Sequence, residues 1–524
     1  MTSRAEAGRF PRQLGVVAIA ALFVAPGLLV VWRAATFGGS AADTLAELRE
    51  PALRSLQLAL LVSLSAAILG TTLAWLTTCT DLPGRRVWRV LLVLPIALPS
   101  FVGTTAILAG FTPGGFLASI WEALGAEPPR RIRGLFPAWL LLTLFSYPFV
   151  LLPVSARLRA LRASLDESAQ LLGASAIERF VRITFPQIRA AIVGGTLIVA
   201  LYMLSEFGAV QLLGFDTLTR VIYATRQVDR ATSFMAAAML FAASLAVVAA
   251  VRAGYGRVAT DVRAGTGPAR LVRLGWAAPF ALLVCVGVVA VGIGAPLSSL
   301  ITWAARGIRE GRVSLGDLLT PIQNTAQVAV LTAIVTLLVV LPVAISAIRH
   351  RDVAGRAASV AIVAGFALPA IVIALSIAVL ALNTPTLNRL YQTMPLLIVA
   401  YVVHFGSQAL GSVEQGVRAV SPAVLDSSRL IEPSWWRRLL RIELPLMRNG
   451  LVAGGGLVVL AVVKELPATL LLAPIGFRTL STDVWASFEE GFLANAAVGS
   501  LALLAVSGTL SWLLVFRDGV TRDL

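Results

Sequence analysis

Three charged residues lie inside the apolar segments of this sequence, namely Glu206 and the adjacent Lys464 and Glu465. An ionised side chain near the centre of a bilayer costs at least ~2.5 kcal/mol on insertion scales, so such residues normally pair with one another or line a route for a solute. Both interpretations stay open here and are compatible. Lys464 and a glutamate can neutralise each other, or the two carboxylates can face each other across a translocation route.

The two glutamates are 259 residues apart (465 − 206), and several other residues repeat at the same distance. The pairs at this offset are Glu167 with Asp426, Ile183 with Ile442, and Pro186 with Pro445. This spacing predicts a duplicated chain, with a first repeat at 1–262 and a second at 263–524. A stretch rich in glycine at 252–273 reads as the linker between them.

The composition predicts an all-α polytopic membrane protein, because 58% of the residues are hydrophobic, only 13% are charged, and the mean hydropathy is +0.86. We expect about twelve spans, six in each repeat. An even number gives both repeats the same orientation, so they should be parallel. The predicted spans are 14–32, 56–78, 90–111, 135–154, 190–212, 233–251, 275–295, 326–347, 358–381, 395–413, 450–472 and 495–516.

The arginines predict the orientation, because loops rich in positive charge stay in the cytoplasm. Segments on the amino-terminal side hold 28 arginines, and those on the other side hold 14. Both termini are therefore expected in the cytoplasm, with the first apolar run retained as a helix and not cleaved as a signal peptide.

Anionic lipid and topology explain the net charge of +16, so we expect no nucleic-acid partner. Two cysteines and two histidines, all far apart, argue against a metal centre.

Two loops on the amino-terminal side carry matched motifs, at about 155–189 and 414–449. The first contains Glu167, Ser168, Ala169, Gly173, Ile183 and Pro186, and the second contains Asp426, Ser427, Ser428, Glu432, Ile442 and Pro445. This pattern resembles the cytoplasmic signature of the permease subunits of ABC importers: an acidic residue, two small residues, a glycine, an isoleucine and a proline. The second copy departs from it at Glu432, where the family has glycine.

The resemblance implies that these loops form coupling helices that dock on two copies of a separate ATPase. The chain itself cannot hold a phosphate-binding loop, which needs a Gly-Lys-Ser or Gly-Lys-Thr, because Lys464 is its only lysine. We therefore expect a transport subunit of the bacterial inner membrane that is not an enzyme and binds no cofactor. The ATPase would use ATP and Mg²⁺, and one external binding protein would deliver the substrate.

The segments around the buried charges, 205–217 and 464–480, look like the two halves of duplicated ferric-iron permeases. This similarity implies a translocation pathway that Glu206, Lys464 and Glu465 shape or gate, and in which Glu206, Glu465, Tyr202 and Tyr223 contact iron transiently, with no tightly bound metal. Thiamine permeases share the architecture, and putrescine or phosphonate relatives remain open. Two other classes are a proton-coupled secondary transporter, which the paired coupling motifs disfavour, and a membrane enzyme, for which the sequence offers no catalytic set.

Overall fold

The computed structural model describes residues 9–36, 41–129, 131–161, 171–255, 271–366 and 368–517. These residues contain ten continuous helices that are long and apolar enough to cross a membrane, or twelve spans if two bent helix pairs are counted. A helix satisfies its backbone polar groups internally, which a segment surrounded by lipid requires. The prediction of an all-α membrane protein with about twelve spans is confirmed.

The described residues of the first half contain twelve α-helices. They are α1 (Arg9–Thr36), α2 (Ala41–Cys79), α3 (Arg85–Leu91), α4 (Ser100–Gly110), α5 (Phe116–Ala123), α6 (Leu135–Ser146), α7 (Pro148–Arg159), α8 (Ala176–Arg179), α9 (Phe185–Ser205), α10 (Gly208–Leu212), α11 (Leu218–Thr225) and α12 (Arg230–Tyr255). A π-helical turn, Phe180–Thr184, precedes α9. The predicted boundary between the repeats, after residue 262, lies outside the described residues.

The second half repeats most of this order. Its helices are α13 (Ala278–Val289), α14 (Ala295–Arg309), α15 (Leu319–Ile345), α16 (Val353–Gly365), α17 (Ala370–Asn383), α18 (Met394–Ala419), α19 (Pro422–Ile431), α20 (Trp435–Arg438), α21 (Leu444–Val463), α22 (Pro467–Leu472), α23 (Leu480–Glu489) and α24 (Leu493–Arg517). The π-helical turns of this half are Ala290–Gly294, Ser346–His350 and Leu439–Glu443.

The third and ninth spans, predicted as single helices, are both sharply bent. The segment 85–97 meets α4 at 94°, and α16 meets α17 at 108°. Each bend falls at a proline, Pro99 or Pro369, which stands in extended conformation just before the next helix begins. A proline has no N–H for the helix ladder and clashes with the preceding turn, so each bend has a local cause.

The same three spans pack together in each half. In the first half α2, α7 and α9 contact one another, and in the second half α15, α18 and α21 do so. The first spans then cross over: α1 packs on α16 and α17, whereas α14 packs on α4. Hydrogen bonds fix this exchange, with Ser376 Oγ donating to the Pro26 carbonyl (3.1 Å) and Trp303 Nε1 to the Ala109 carbonyl (2.9 Å). The two halves are thus interlocked.

Glycines let the core helices touch backbone to backbone. A Cβ added to Gly195 on α9 would lie 2.8 Å from Val150 Cα on α7, and one added to Gly454 on α21 would lie 3.1 Å from the Ala409 carbonyl oxygen on α18. These two glycines are again 259 residues apart (454 − 195). Gly450 is tighter still, because an added Cβ would approach the Ser412 carbonyl oxygen to 2.5 Å.

We predict that Gly450→Ala destabilises the second half, because the new methyl group would push α18 and α21 apart. Overpacking of this kind costs about 1–3 kcal/mol. The control is Gly411→Ala on α18, whose added Cβ meets no atom within 4 Å. Thermal unfolding in detergent micelles should show a lower midpoint for Gly450→Ala alone. Equal midpoints for the two variants would contradict the close helix contact.

Candidate functional site

Glu206 lies where the fifth span breaks inside the bundle. Helix α9 ends at Ser205, Glu206 is extended (φ −68°, ψ 125°), and α10 begins at Gly208. The buried carboxylate accepts a hydrogen bond from the backbone N–H of Ala209 (2.9 Å) and one from the Ser100 hydroxyl on α4 (2.8 Å). A carboxylate at this position satisfies an N–H group that has no partner within the short helix.

Glu465 occupies the equivalent break between α21 and α22. Its carboxylate is buried and accepts hydrogen bonds from the backbone N–H groups of Ala468 (2.9 Å) and Thr469 (3.1 Å) and from the Thr469 hydroxyl (2.8 Å). Both glutamates therefore cap the helix that restarts after the break. The predicted spans 190–212 and 450–472 run through these breaks, because hydropathy does not register a helix end.

A tyrosine accompanies each carboxylate. The phenol of Tyr202, one turn before Glu206 on α9, reaches the Glu206 carboxylate and Ser100. At the second break the phenol comes from Tyr401 on α18, which reaches Glu465 and hydrogen-bonds the Thr469 hydroxyl (2.5 Å). The sequence does not identify Tyr401 as a site residue, because Tyr401 lies at no repeat-related position and only the packing of α18 brings it to the break.

Lys464 is placed at the end of α21, beside the second break. Its Nζ donates to the carbonyl of Ile96 (3.2 Å), which belongs to the bent third span of the first half. Among the ion pairs of the described residues, none involves Lys464. The expected neutralisation between Lys464 and a glutamate is therefore not the contact that the structure shows; the lysine instead bridges the two halves.

Aromatic rings close the space between the two breaks. Phe207 stacks against Tyr223 (ring centroids 4.7 Å apart) and against Trp485 of the second half (5.7 Å). A Cβ added to Gly208 would lie 3.6 Å from Leu466 Cδ2, so the breaks approach each other through the residues that follow the glutamates. Tyr223 thus packs in an aromatic cluster, and the Arg226 guanidinium lies over the Tyr223 ring, 3.8 Å from the ring centroid.

Matched hydroxyl groups fasten the segments that follow the breaks. Ser55 Oγ on α2 accepts from the Leu218 N–H, and Thr325 Oγ1 on α15 accepts from the Leu480 N–H, both at 2.8 Å. Thr219 donates to the carbonyl of Glu206 (2.7 Å), and Ser481 donates to that of Val463 (2.9 Å). The two halves thus hold the unwound backbone with equivalent polar contacts, as a buried chain requires.

Charges flank these segments on the side opposite the two motif loops. Asp216 pairs with Arg54 (3.2 Å) and with Arg220, and Arg478 pairs with Asp483 (3.7 Å). Burial raises the pKa of Asp483, and the nearby Arg478 guanidinium partly opposes this shift. Among the described residues, no group of three or more His, Cys, Asp or Glu side chains is arranged to hold a metal ion.

The two motif loops present matched apolar pairs to solvent. Leu171 and Leu172 are 89% and 88% exposed, and Leu430 and Ile431, each 259 residues later, are 87% and 77% exposed. Exposed aliphatic pairs at equivalent positions outside the membrane-spanning helices are typical of an interaction surface. We call these four residues the apolar loop pairs.

The second motif forms a regular helix. Ser421 caps α19 by accepting from the Val424 N–H (3.4 Å), Asp426 is exposed and pairs with Arg429 (3.0 Å), and Ser427 is exposed beside it. Ser428 is buried and donates to the Leu425 carbonyl (2.7 Å). The matching residues of the first motif, Glu167, Ser168 and Ala169, lie outside the described residues.

The motif helices end differently in the two loops. Gly173 takes the left-handed conformation (φ +82°) that glycine adopts at low cost after a helix. Glu432 is extended (φ −132°, ψ 96°), since the following Pro433 disfavours helical geometry at the preceding residue. The departure of Glu432 from the family pattern therefore corresponds to a real difference in backbone path.

The prolines of both motifs have the same structural consequence. Pro186 and Pro445 cannot donate to the carbonyls of Arg182 and Arg441, four residues earlier, and in each half the preceding five residues widen into a π turn. Ile183 and Ile442 lie in these turns and are partly buried. Each turn feeds directly into the helix that ends at a glutamate break.

Comparison with known families finds one match that occurs twice. The family of binding-protein-dependent transport system inner membrane components matches residues 66–256 and again residues 339–517. Each match contains one motif loop and one glutamate break. The internal duplication predicted from the 259-residue offset is thereby confirmed.

Individual relatives are also similar to this chain. The Fe(3+)-transport system permease protein FbpB 2 of Haemophilus influenzae is 28% identical over 462 residues, covering 86% of this chain and 87% of the relative. The sulfate transport system permease protein CysW of Escherichia coli is 29% identical over 206 residues, covering 38% of this chain and 69% of the relative. For CysT of Salmonella typhimurium the values are 29% identity over 152 residues, 29% of this chain and 54% of the relative.

We predict that Glu206→Ala and Glu465→Ala each lower the free energy of unfolding by about 3 kcal/mol, because each removes charge-assisted hydrogen bonds from buried N–H and O–H groups. Replacement by Gln should cost about half as much, since one acceptor oxygen remains. The measurement is unfolding in mixed micelles, with Glu122→Ala as the control for losing an exposed carboxylate. Losses no larger than that of Glu122→Ala would refute the capping role.

Proposed function

The chain belongs to the family of binding-protein-dependent transport system inner membrane components, with two permease repeats fused in one polypeptide, and we propose that it carries ferric iron into the cytoplasm. The observation that carries this proposal is the similarity to a permease named for Fe(3+) along 86% of the chain. The two sulfate permeases, CysW and CysT, match 38% and 29% of this chain.

The chemistry of the two breaks supports a hard cation as cargo. Each break brings together a carboxylate, a phenol and a hydroxyl group, at Glu206 with Tyr202 and at Glu465 with Tyr401. Oxygen donors of this kind suit hard metal ions. Their hydrogen bonds are engaged in capping, so iron would pass these groups transiently, as a conducting route requires, and would not be stored there.

Charge favours a cation over an anion at the same place. Two buried glutamates and one lysine leave an excess of acidic groups near the breaks, and Lys464 is turned toward the Ile96 carbonyl. An oxyanion such as sulfate would meet repulsion in a region of low dielectric, where Coulomb energies are large. The same excess attracts Fe³⁺. We keep sulfate as the competing cargo in the test below.

The matched loops fit a pair of identical energy-supplying partners. We infer that the apolar loop pairs, together with Glu167 and Asp426 a few positions earlier in the sequence, dock on two copies of an ATPase in the cytoplasm, and that this ATPase binds ATP and Mg²⁺. This chain lacks the lysine motif of a phosphate-binding loop. In this orientation both termini are cytoplasmic, and the segments after the breaks face the external binding protein.

Two helices connect the proposed docking loops to the breaks. Helix α9 runs for 21 residues from the first π turn to Glu206, and α21 runs for 20 residues from the second to the Lys464–Glu465 break. At 1.5 Å per residue each spans about 30 Å, the thickness of the hydrocarbon core. A displacement of a loop would therefore reach the aromatic cluster of Phe207, Tyr223 and Trp485 through a rigid helix.

The proposal predicts ATP-dependent uptake of radiolabelled ferric iron into vesicles that contain this chain, its ATPase and its binding protein. Thiamine and sulfate, offered in parallel, should give no uptake above the level without ATP. Omission of either partner should abolish iron uptake. Saturable sulfate or thiamine uptake without iron uptake would keep the importer and overturn its cargo. Uptake that needs a proton gradient and no ATPase would instead indicate a secondary transporter.

Reversing the acidic charge of both motifs tests the docking loops. We predict that Glu167→Lys combined with Asp426→Lys reduces ATP-dependent uptake more than tenfold, because like charges at a protein interface repel the partner. Insertion into the membrane should stay normal. The control is Glu47→Lys with Glu122→Lys, which makes the same change in net charge at exposed residues on the opposite side. Equal uptake by the two double variants would remove the docking assignment.

A further inference from the structure

A buried carboxylate on the motif side of the second half stands where the first half has a threonine at the equivalent position. Glu443, the last residue of the second π turn, has a side chain only 8% exposed. It pairs with Arg349, which lies in the π turn that ends α15, and with Arg438 at the end of α20 (3.2 Å). The two arginine side chains are 14% and 16% exposed, so the whole cluster is largely removed from water.

The cluster also reaches the end of the motif helix. Arg438 Nη1 donates to the backbone carbonyl of Glu432, the residue that ends α19 (3.3 Å). A continuous set of polar contacts thus runs from α19 through Arg438 and Glu443 to Arg349 on the core span. A buried ion pair is costly to break, because the remaining partner is left as an unpaired buried charge. The loop is therefore held firmly against α15.

The first half has a different residue at the central position of this cluster. The residue 259 positions before Glu443 is Thr184, although Arg179 stands at the position equivalent to Arg438. The first loop also has Gly173 where the second has Glu432, and this glycine is exposed with no atom within 4 Å of an added Cβ. The loop without the glycine is thus the one that carries the carboxylate.

We propose that Glu443 is a positioning residue that ties the second coupling loop to α15 and makes the two loops unequal in transmitting force. The inference rests on the proposed role of the loops as ATPase-docking segments. In the second half, a push on α19 moves α15 and α21 together through the arginine and carboxylate contacts. In the first half, where Thr184 replaces the carboxylate, the push reaches α9 through the π turn without a tie at this position.

The test compares Glu443→Gln and Glu443→Thr, the latter reproducing the first-half residue, with Glu414→Gln. Glu414 is another partly buried carboxylate of the second half, paired with Arg418 (3.5 Å), and serves as the matched control. In vesicles with the ATPase and binding protein, we expect both Glu443 variants to lower the amount of cargo imported per ATP hydrolysed at least threefold, while ATP hydrolysis continues. Glu414→Gln should keep the wild-type ratio.

A second readout needs neither cargo nor ATPase. Hydrogen exchange of the purified chain in detergent should be at least tenfold faster across residues 422–438 in Glu443→Gln than in wild type, with no change across 185–205. Arg349→Gln, which leaves the contact of Arg438 with Glu443 intact, should give the same pattern if Glu443→Gln does not insert.

An unchanged import ratio together with a general loss of thermal stability would overturn the proposal and leave the cluster a stabilising contact only. Uptake by the wild-type chain without ATP would contradict the proposed function itself. The hydrogen-exchange result would still decide whether the second loop is fixed.

Discussion

The capping of broken helices by buried carboxylates is the constraint on which the rest of this structure depends. A bilayer offers no water to a backbone that leaves the helical ladder, so every freed N–H group needs an acceptor from the protein. Glu206 and Glu465 supply that acceptor at two equivalent breaks. They thereby stabilise the unwound segments through which the two halves approach each other.

The surrounding contacts follow from these caps. A carboxylate in a low-dielectric interior needs donors, and the bundle provides Ser100, Thr469 and the phenols of Tyr202 and Tyr401. The donors come from different elements in the two halves. The chemistry of the cap is therefore duplicated while its packing is not.

Much of the architecture could be predicted from the sequence, because membrane insertion depends on local apolarity and the repeat offset is visible in residue identities. The limits are equally physical. Hydropathy extends the fifth and eleventh spans past Glu206 and Glu465, since an apolar segment scores the same whether or not its helix is continuous. Gly208 and Pro467, just beyond the charges, were the available signal for a break. Tyr401, Ser100 and Trp485 could not be assigned, because only the packing of distant helices brings them to the breaks.

The two motif loops end differently, and the contacts of the second loop explain how its end is stabilised. At position 432 the second repeat has an extended glutamate before Pro433, where the first repeat has the left-handed Gly173. The second motif helix therefore ends without the turn that glycine allows. The Arg438 contact with the Glu432 carbonyl, held in place by Glu443 and Arg349, supplies a partner at that point. In a permease built from two identical subunits, any such change would occur in both loops at once. When both repeats are in one chain, the two loops can differ in sequence. The second loop can then have a fixed polar connection to its core span, while the first has a glycine.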